Sequence, residues 1–513
     1  MKKLLTILLL FIGITVNATN YYLATTSSTP AGNDANAGTI SAPWATWQKA
    51  INNAHAGDTV FVRGGIWYPT GSTSVGIFET YSGTQNSPIC FFNYPDETPI
   101  IDGRDRNLTD GWNSCFSLTA RDFIKFRGIT IRNFRQPQTS PYNAAAGVGG
   151  TNNSNLTFEN MTVHNIGGCA FKLFGAWKYP ASGFTFPESG FDTAAYLSAG
   201  RANGYLIASH ATLTGDTTRF INCDAYNLCD SVSAAVGPGG SADGWKLDNE
   251  VNSVFILSGC RAWNCSDDGF DASGTTKVLY DNCWSMGNGF LGASPTTGGD
   301  GTGIKDAYPR AYIAAPLRIE RNVITAFNRG PGFAAIVADD YPCLSTVYLN
   351  TVAFRNDRGI VTSFGYGCDS VQPMVLRNNI RYESREILGY DAYSFKSGTT
   401  EDHNSWNGSI VLTNADFITI DSTTIWTQLS GARKSDHSLP DISVFKLAEG
   451  SDLIGAGVDV GMSSIPNIGI DWEWLGAGSP EEPPVNPTSN KGLIMINHKP
   501  TKSIRGNLLY YNK

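Results

Sequence analysis

Four aspartates in two short segments are the residues best suited, by type and spacing, to bind a metal ion. Asp267, Asp268 and Asp271 lie close together, and Asp243 lies one segment earlier; Asp243 and Asp268 both precede a glycine and a large apolar residue. If the aligned segments stack, four carboxylates converge, and without a cation each would raise the pKa of the others. Because Ca²⁺ accepts several oxygen ligands in irregular geometry, the pattern predicts a Ca²⁺ site, with a solvated acidic turn as the alternative.

A recurring motif predicts that these aspartates share a column with two lysines. The motif is a glycine, a large apolar residue and a variable residue: Gly244-Trp245-Lys246, Gly269-Phe270-Asp271, Gly303-Ile304-Lys305, Gly332-Phe333-Ala334 and Gly359-Ile360-Val361. Side chains alternate along a strand, so the apolar residue points inward and the next one outward, and stacked strands lie about 4.8 Å apart. Lys246, Asp271 and Lys305 are therefore predicted to be close neighbours on the outer surface.

Lys305 is the candidate base. It follows a glycine-rich run, Gly299 to Gly303, which lets the backbone turn tightly just before it. Most lone lysines are solvated surface residues, but the shared column places Lys305 one or two coils from the aspartates. A neutral amine beside a metal cluster could accept a proton from a substrate. Lys246 shares the column, and its predicted role is to pair with the nearby carboxylates.

A second motif, an asparagine before an apolar residue, recurs mostly at spacings of 23 to about 40 residues. Repeats in this range indicate a solenoid, and short β-rich runs without a helical period between them indicate an all-β parallel β-helix. Asparagine tolerates left-handed turns, and its amide can hydrogen-bond the asparagine of the next coil. The copies are Asn160, Asn222, Asn282, Asn322 and Asn350, each with a second asparagine at Asn165, Asn227, Asn288, Asn328 and Asn356; in one further copy Gly259 precedes Cys260 and Asn264 follows.

Other segments predict the ends of this solenoid. Pro43 to Ile51 predicts an amphipathic helix, N-capped by Thr46, that closes the first coil. Gly57 to Val62 predicts the first strand, and the glycine-containing stretch from Ile454 to Ile470 predicts closing turns at the far end.

The N-terminal residues predict export. Met1-Lys2-Lys3 precedes an apolar run, Leu4 to Ile14, and small residues end at Ala18. Residues 1–18 are therefore predicted to be a signal peptide rather than a buried helix, which implies a secreted or periplasmic protein. No later segment is long and apolar enough to span a bilayer. A linker is predicted at 476–490, and the tail at 491–513 has no assigned role.

The composition also limits the possible partners. The chain has 55 glycines, 12% aromatic and 16% charged residues, which is typical of an all-β protein with many turns. A net charge of −8 argues against binding to nucleic acid or anionic lipid, so an acidic polymer would need a metal ion or a local cationic patch. Among the ten cysteines, Cys223, Cys260 and Cys283 occupy apolar repeat positions, which predicts buried thiols there and leaves one or two disulfides possible elsewhere.

The set Asp243, Asp267-Asp268-x-x-Asp271 and Lys305 resembles polysaccharide lyase family nine, and the resemblance covers roughly residues 20–475. It implies a single-stranded, right-handed parallel β-helix over residues 19–475, a Ca²⁺ ion bound by the four aspartates, and Lys305 as the Brønsted base. The family's lysine is commonly followed by Leu-Gly-Gly, whereas Asp306-Ala307-Tyr308 follows Lys305. This departure concerns the substrate subsites and not the base.

The resemblance also implies β-elimination in an acidic pectic polysaccharide, either polygalacturonate or rhamnogalacturonan I, by a monomeric enzyme. The C5 proton of a uronate lies α to a carboxylate, and it becomes acidic when a cation stabilises the developing negative charge. This chemistry needs both parts of the predicted site, the cation and the base.

Two alternatives remain at this point. A pectin hydrolase of glycoside hydrolase family 28 is also β-helical, and Asp267-Asp268 and Ile304-Lys305 resemble its motifs. None of the six histidines, however, lies in the Gly-His-Gly that those enzymes carry. A non-catalytic β-helical glycan-binding protein is the second alternative, and it would not need a base beside a metal cluster.

Overall fold

A computed structural model describes residues 18–476 except for positions 72, 105, 107–113, 135–145, 176–184, 188–189, 193–204, 210–216, 230–238, 250–253, 275–276, 292–297, 308–316, 337–344, 357, 362–373, 384–399 and 463–465. Apart from residues 18 and 476, the predicted signal peptide, linker and tail lie outside the described residues. No helix in the described part of the chain is long and apolar enough to cross a membrane.

The described chain winds through three sheets in repeated coils, and each coil adds one strand to each sheet in turn. Every pairing between named strands is parallel. This arrangement is the predicted parallel β-helix. Strands are numbered in chain order.

The first sheet contains β1 Asn20–Leu23, β2 Thr59–Val62, β5 Ile89–Asn93, β8 Ile124–Arg127, β11 Thr157–Glu159, β14 Thr185–Pro187, β17 Thr217–Ile221, β20 Val254–Ser258, β23 Lys277–Asp281, β26 Leu317–Arg321, β29 Ser345–Leu349, β32 Val375–Arg377 and β34 Thr400–Asp402. The second sheet contains β3 Gly65–Trp67, β6 Pro99–Asp102, β9 Thr130–Phe134, β12 Thr162–Ile166, β15 Gly190–Asp192, β18 Asp224–Tyr226, β21 Arg261–Trp263, β24 Trp284–Met286, β27 Ile324–Ala326, β30 Val352–Phe354 and β33 Ile380–Tyr382. The third sheet contains β4 Gly76–Phe78, β7 Ser114–Thr119, β10 Ala146–Asn153, β13 Cys169–Gly175, β16 Tyr205–Ser209, β19 Trp245–Asn249, β22 Phe270–Gly274, β25 Ile304–Ala307, β28 Pro331–Ile336 and β31 Arg358–Val361.

The register of the third sheet confirms the predicted column. Lys246 pairs with Asp271 between β19 and β22, and Asp271 pairs with Lys305 between β22 and β25. The apolar residues that precede them point into the solenoid. Trp245 and Phe270 stack there with ring centroids 4.5 Å apart, and both side chains are fully buried. Apolar packing inside the solenoid therefore holds the polar column on the outside.

The asparagines form rows from coil to coil, as predicted, but the second asparagines are divided: Asn165 and Asn227 have left-handed backbones and bond to Asn133 and Asn264, whereas Asn288, Asn328 and Asn356 are buried. In one row the backbone is left-handed, and the side chains bond from coil to coil, as from Asn322 to Asn282 at 3.1 Å. The second row is buried: the Asn288 amide donates to Asn328 at 2.9 Å, and the Asn328 amide donates to Asn356 at 2.8 Å. Each row satisfies backbone groups at a corner, where the sheet hydrogen bonds are interrupted.

The N-terminal end is closed by helix α1, Trp47–Asn53, and the Thr46 side chain accepts a hydrogen bond from the Lys49 amide as the predicted N-cap. Trp47 lies on the core with its ring centroid 5.0 Å from that of Phe116. One detail of the prediction is wrong. The strand at Thr59–Val62 is the second and not the first, because Asn20–Leu23 pairs with it in front.

The residues predicted to form closing turns, Ile454 to Ile470, do not cap the far end of the solenoid; they lie along its side. Residues 404–462 and 466–476, here called the C-terminal segment, contain a 3-10 helix Asn414–Asp416, α2 Ser422–Leu429 and α3 Trp472–Gly476. Ile468 and Ile470 belong to a buried cluster with Trp284 and Ile324 of the second sheet. The segment therefore packs against the outer side of that sheet, because outward apolar side chains there need cover.

The eight cysteines within the described residues are free thiols. Cys260 lies in hydrogen-bonding contact with both Cys223 and Cys283, and all three are fully buried. The predicted thiol stack is therefore confirmed. Cys343 and Cys368 lie outside the described residues.

Replacing Asn328 by alanine tests the buried asparagine row. The Asn328 side chain also accepts a hydrogen bond from the backbone N–H of Asn288 and donates one to the Ser285 carbonyl. Its loss therefore leaves several buried polar groups unsatisfied. We expect Asn328→Ala to lower the free energy of unfolding, measured by urea titration, by at least about 2 kcal/mol. The control Asn52→Ala removes an exposed side chain of α1 and should change it by less than about 0.5 kcal/mol. Equal unfolding midpoints for the two variants would contradict a stabilising role for the row.

Candidate active site

A cleft of about 480 Å³ lies on the outer face of the third sheet, where the predicted acidic and basic residues meet. Carboxylates and amines line it together, among them Asp243, Asp267, Asp271, Lys246 and Lys305. Asp268 lies beneath this lining and is fully buried. The structure thus brings together all five residues that the sequence predicted for the site.

Turns before two neighbouring strands hold three of the aspartates. Asp243 precedes β19, and Asp267 and Asp268 precede β22. Backbone amides fix their carboxylates: the Asp268 amide donates to Asp243 at 3.1 Å, and the Thr302 amide donates to Asp268 at 2.6 Å. These hydrogen bonds run between coils, so the stacking of the coils itself orients the carboxylates.

The four aspartates do not have equivalent places. One oxygen from each of Asp243, Asp267 and Asp268 lies within 4.8 Å of the other two, a spacing that one metal ion could bridge. Asp271 lies in β22 itself, and its carboxylate contacts Lys246 and lies 3.9 Å from the Lys305 amine. Asp271 therefore lies beside Lys246 and within reach of Lys305.

Burial and mutual repulsion make this group electrostatically strained. Burial, with Asp271 and Asp268 adding negative charge, raises the pKa of Asp243 to about 8. Burial, followed by Asp268 and Asp243, also raises the pKa of Asp267 well above its usual range. A carboxyl group with a raised pKa binds a proton where a cation could instead bind, so the cluster has a strong demand for positive charge.

Lys305 supplies part of that charge. Its Nζ atom lies 2.9 Å from Asp268 Oδ2 and 2.7 Å from Asp300 Oδ2, and the residue is only 8% exposed. Burial alone would lower the pKa of Lys305, but Asp268, Asp271 and Asp300 outweigh burial and hold that pKa above its usual range. The amine is therefore protonated until other positive charge engages these carboxylates.

Two residues of the cleft were not predicted as site residues. Asp300 pairs with Lys305 although its side chain is 63% exposed, and its backbone amide donates to Asp267 at 2.8 Å. Arg329 also lines the cleft and donates to the Gly299 carbonyl. Asp300 lies inside the glycine-rich run before Lys305, and Arg329 directly follows an asparagine of the buried row. Their positions in the repeat were therefore visible, but their orientation was not.

The arrangement can hold a hard cation and a lysine side by side. The carboxylates offer oxygen ligands, the burial limits competition from water, and the lysine lies at hydrogen-bonding distance from one of the predicted ligands. A substrate carboxylate that enters the cleft would meet the amines of Lys246 and Lys305 and any cation that the aspartates hold.

Comparisons with known proteins identify the family and relatives of the chain. A family model described as Pel9A-like, right-handed β-helix region matches residues 26–379. The chain is 26% identical over 391 residues to pectate lyase L of Dickeya chrysanthemi, which covers 69% of this chain and 84% of the relative. It is 25% identical over 458 residues to pectate lyase PEL9 of Emericella nidulans, which covers 84% of this chain and 93% of the relative.

Two solved structures share the fold. The crystal structure of pectate lyase Pel9A matches with a TM-score of 0.56 at 21% identity, covering 89% of this chain and 96% of the other. A rhamnogalacturonan lyase matches with a TM-score of 0.54 at 22% identity, covering 84% and 97%. Because the family model covers more than half of the sequence, the chain belongs to the Pel9A-like right-handed β-helix family and is a polysaccharide lyase, as its resemblance to polysaccharide lyase family nine predicted.

Proposed function

We propose that the chain is an exported, monomeric, calcium-dependent lyase that cleaves pectate, or polygalacturonate, by β-elimination with Lys305 as the base. The observation that carries the proposal is the position of the Lys305 amine, 2.9 Å from Asp268 in a cluster of buried carboxylates. The names of the relatives favour pectate over rhamnogalacturonan I, because both relatives at 25–26% identity are pectate lyases.

The residues present fit a calcium ion. Asp243, Asp267 and Asp268 offer oxygens within 4.8 Å of one another, and Asp271 is the proposed fourth ligand. All four are at most 7% exposed, and burial raises the pKa values of Asp243, Asp267 and Asp268. Such a set is better stabilised by a divalent cation than by protons at neutral pH. When bound, Ca²⁺ would supply positive charge that stabilises the charge developing on the substrate carboxylate.

The protein residues then have distinct roles. Asp268 and Asp271 hold the pKa of Lys305 above its usual range. A cation bound by these aspartates would offset their negative charge and lower that pKa, so the amine could act as a base. Lys305 accepts the C5 proton of the uronate, the C–H electron pair forms the C4–C5 double bond, and the C4–oxygen bond breaks. The departing glycosidic oxygen takes up a proton from solvent water. Among the described residues that line the cleft, Lys246 and Arg329 are the basic residues other than Lys305. They would bind uronate carboxylates of the polymer.

The reaction products test the proposed reaction and the polymer together. With Ca²⁺ present, we expect purified protein to convert polygalacturonate into products with unsaturated, ultraviolet-absorbing ends, and a chelator should abolish this absorbance until Ca²⁺ is restored. Faster turnover of rhamnogalacturonan I would correct the substrate and leave the mechanism unchanged. New reducing ends without ultraviolet absorbance would indicate a hydrolase, and binding without products would indicate a glycan-binding protein.

Asp268→Asn tests the metal site. Asp268 is fully buried, and the substitution removes one formal charge from a hard-cation site while it keeps the shape of the side chain. We expect its Ca²⁺ affinity, measured by calorimetry, to fall by at least roughly 100-fold. The control Asp300→Asn removes an exposed carboxylate of the same cleft that is not a proposed ligand, and it should change the affinity far less. Unchanged affinity in Asp268→Asn would place the site elsewhere.

Lys305→Ala tests the base. We expect kcat on polygalacturonate to fall by about 10²- to 10⁴-fold, the usual contribution of a general base, with Ca²⁺ affinity and folding retained. Because the carboxylates raise the pKa of Lys305, wild-type activity should increase toward alkaline pH as the amine loses its proton. Lys246→Ala is the matched control from the same column. If Lys246→Ala abolished turnover while Lys305→Ala retained it, the base would be assigned to the wrong lysine.

A further inference from the structure

Three charged side chains lie inside the solenoid, directly behind the strand that carries Lys305. Asp306 follows Lys305 in β25, so its side chain points to the opposite face of the sheet and enters the interior. Arg318 and Glu320 enter the same space from β26 of the first sheet. All three residues are at most 1% exposed, so water does not solvate their charges.

This cluster coincides with the departure from the family pattern noted in the sequence. Asp306 stands where the family commonly has leucine after its lysine, and the neighbours of Asp306 in β22 and β28 are Ala272 and Ala335. At Asp306 the change therefore lies in the interior and not in the cleft, contrary to the expectation that it affects the substrate subsites. Two small side chains leave room beside Asp306 for the polar groups that reach across from the first sheet.

The three groups do not balance in charge if both acids are ionised. Arg318 Nε lies 3.1 Å from Asp306 Oδ1, which pairs one positive with one negative charge. The carboxyl groups of Asp306 and Glu320 adjoin each other, and none of their four buried oxygens has a hydrogen-bonding partner among the described residues. An ionised carboxylate only accepts hydrogen bonds, so the two groups can bond to each other only if one of them carries a proton. With that proton the cluster is neutral, and without it a net negative charge is buried.

Among the described residues around the cluster, no other basic side chain approaches the two acids. Tyr280 and Tyr348 flank Glu320 in the first sheet, and within the described residues their buried hydroxyl groups have no hydrogen-bonding partner. From the outer face Asp271 adds further negative charge. Burial, with Asp306 beside it, raises the pKa of Glu320 well above its usual range, and burial also raises the pKa of Asp306 against the effect of Arg318.

We propose that Asp306, Glu320 and Arg318 form a buried proton-binding site that holds one proton between the two carboxyl groups and joins the lysine-bearing strand to the first sheet. The inference concerns the folded state and does not depend on the proposed reaction. Because the folded-state pKa is raised above the unfolded-state pKa, the stabilisation is complete at low pH and is lost as pH rises through the folded-state value. The interior of the solenoid thus sets an alkaline limit to folding.

The pH dependence of unfolding tests this site. We compare the urea midpoints of the full-length wild type and Glu320→Gln from about pH 6 to about pH 10, with saturating Ca²⁺ to keep the cleft carboxylates engaged. The glutamine amide can donate to Asp306 as the protonated carboxyl group does, but it does not titrate. The free energy of unfolding of Glu320→Gln should therefore fall less steeply with rising pH than that of the wild type, by the slope of one proton. Glu159→Gln, on the outer face of the same sheet, should keep the wild-type profile. Identical slopes for the wild type and Glu320→Gln would overturn the proposal.

Infrared spectroscopy provides an independent readout. We expect the carbonyl stretch of a protonated carboxyl group in the wild type at neutral pH, and its loss in both Glu320→Gln and Asp306→Asn. Asp306→Asn also repeats the urea comparison if Glu320→Gln does not fold. A buried alkali cation in place of the proton would overturn the proposal, and it would give no such band and a stability that falls when choline replaces sodium.

Discussion

The hydrogen-bonded register between β22 and β25 is the constraint on which the site depends. It places Asp271 beside Lys305 on the outer face and Phe270 beside Ile304 on the inner face. A slip by one residue would exchange the faces, turning Lys305 into the core and Asp306 into the cleft. The buried side chains of Phe270 and Ile304 resist such a slip, because they pack side by side in the interior only in this register. Apolar packing therefore determines the position of the proposed base.

The strand β25 has buried negative charge on both of its faces, and the two faces balance it differently. On the outer face, Lys305 and Lys246 meet a larger number of carboxylates, and the proposed Ca²⁺ would balance the remaining negative charge. On the inner face, Arg318 meets two carboxyl groups, and a single proton completes the balance. A cation on the outer face could exchange with solvent and take part in catalysis, whereas the proton on the inner face is enclosed.

Much of this organisation was predictable, because a β-helix converts position in a repeat into position in space. Inward and outward faces follow from alternation, so the column through Lys246, Asp271 and Lys305 could be derived from the motif alone. Asp300 was missed as a site residue because a glycine-rich turn has no alternation from which its orientation could be predicted. The pairing of Asp306 with Glu320 was missed because it joins different sheets, and the repeat predicts neighbours only within a sheet. The closing turns were misplaced because Ile468 and Ile470 can cover any exposed apolar face, and the one they cover is lateral.

The C-terminal segment ties distant coils together. Arg433 donates to the Asp224 carboxylate across 209 residues of sequence, while Asn350 and Asn378 bind the same segment near Gly469 and Val458. A solenoid in which each coil touches only its neighbours can fray from an open end, one coil at a time. Here the C-terminal segment joins a middle coil, at Asp224, to later coils at Asn350 and Asn378. The later coils therefore cannot fray one at a time while the segment stays bound, so their unfolding becomes a collective event.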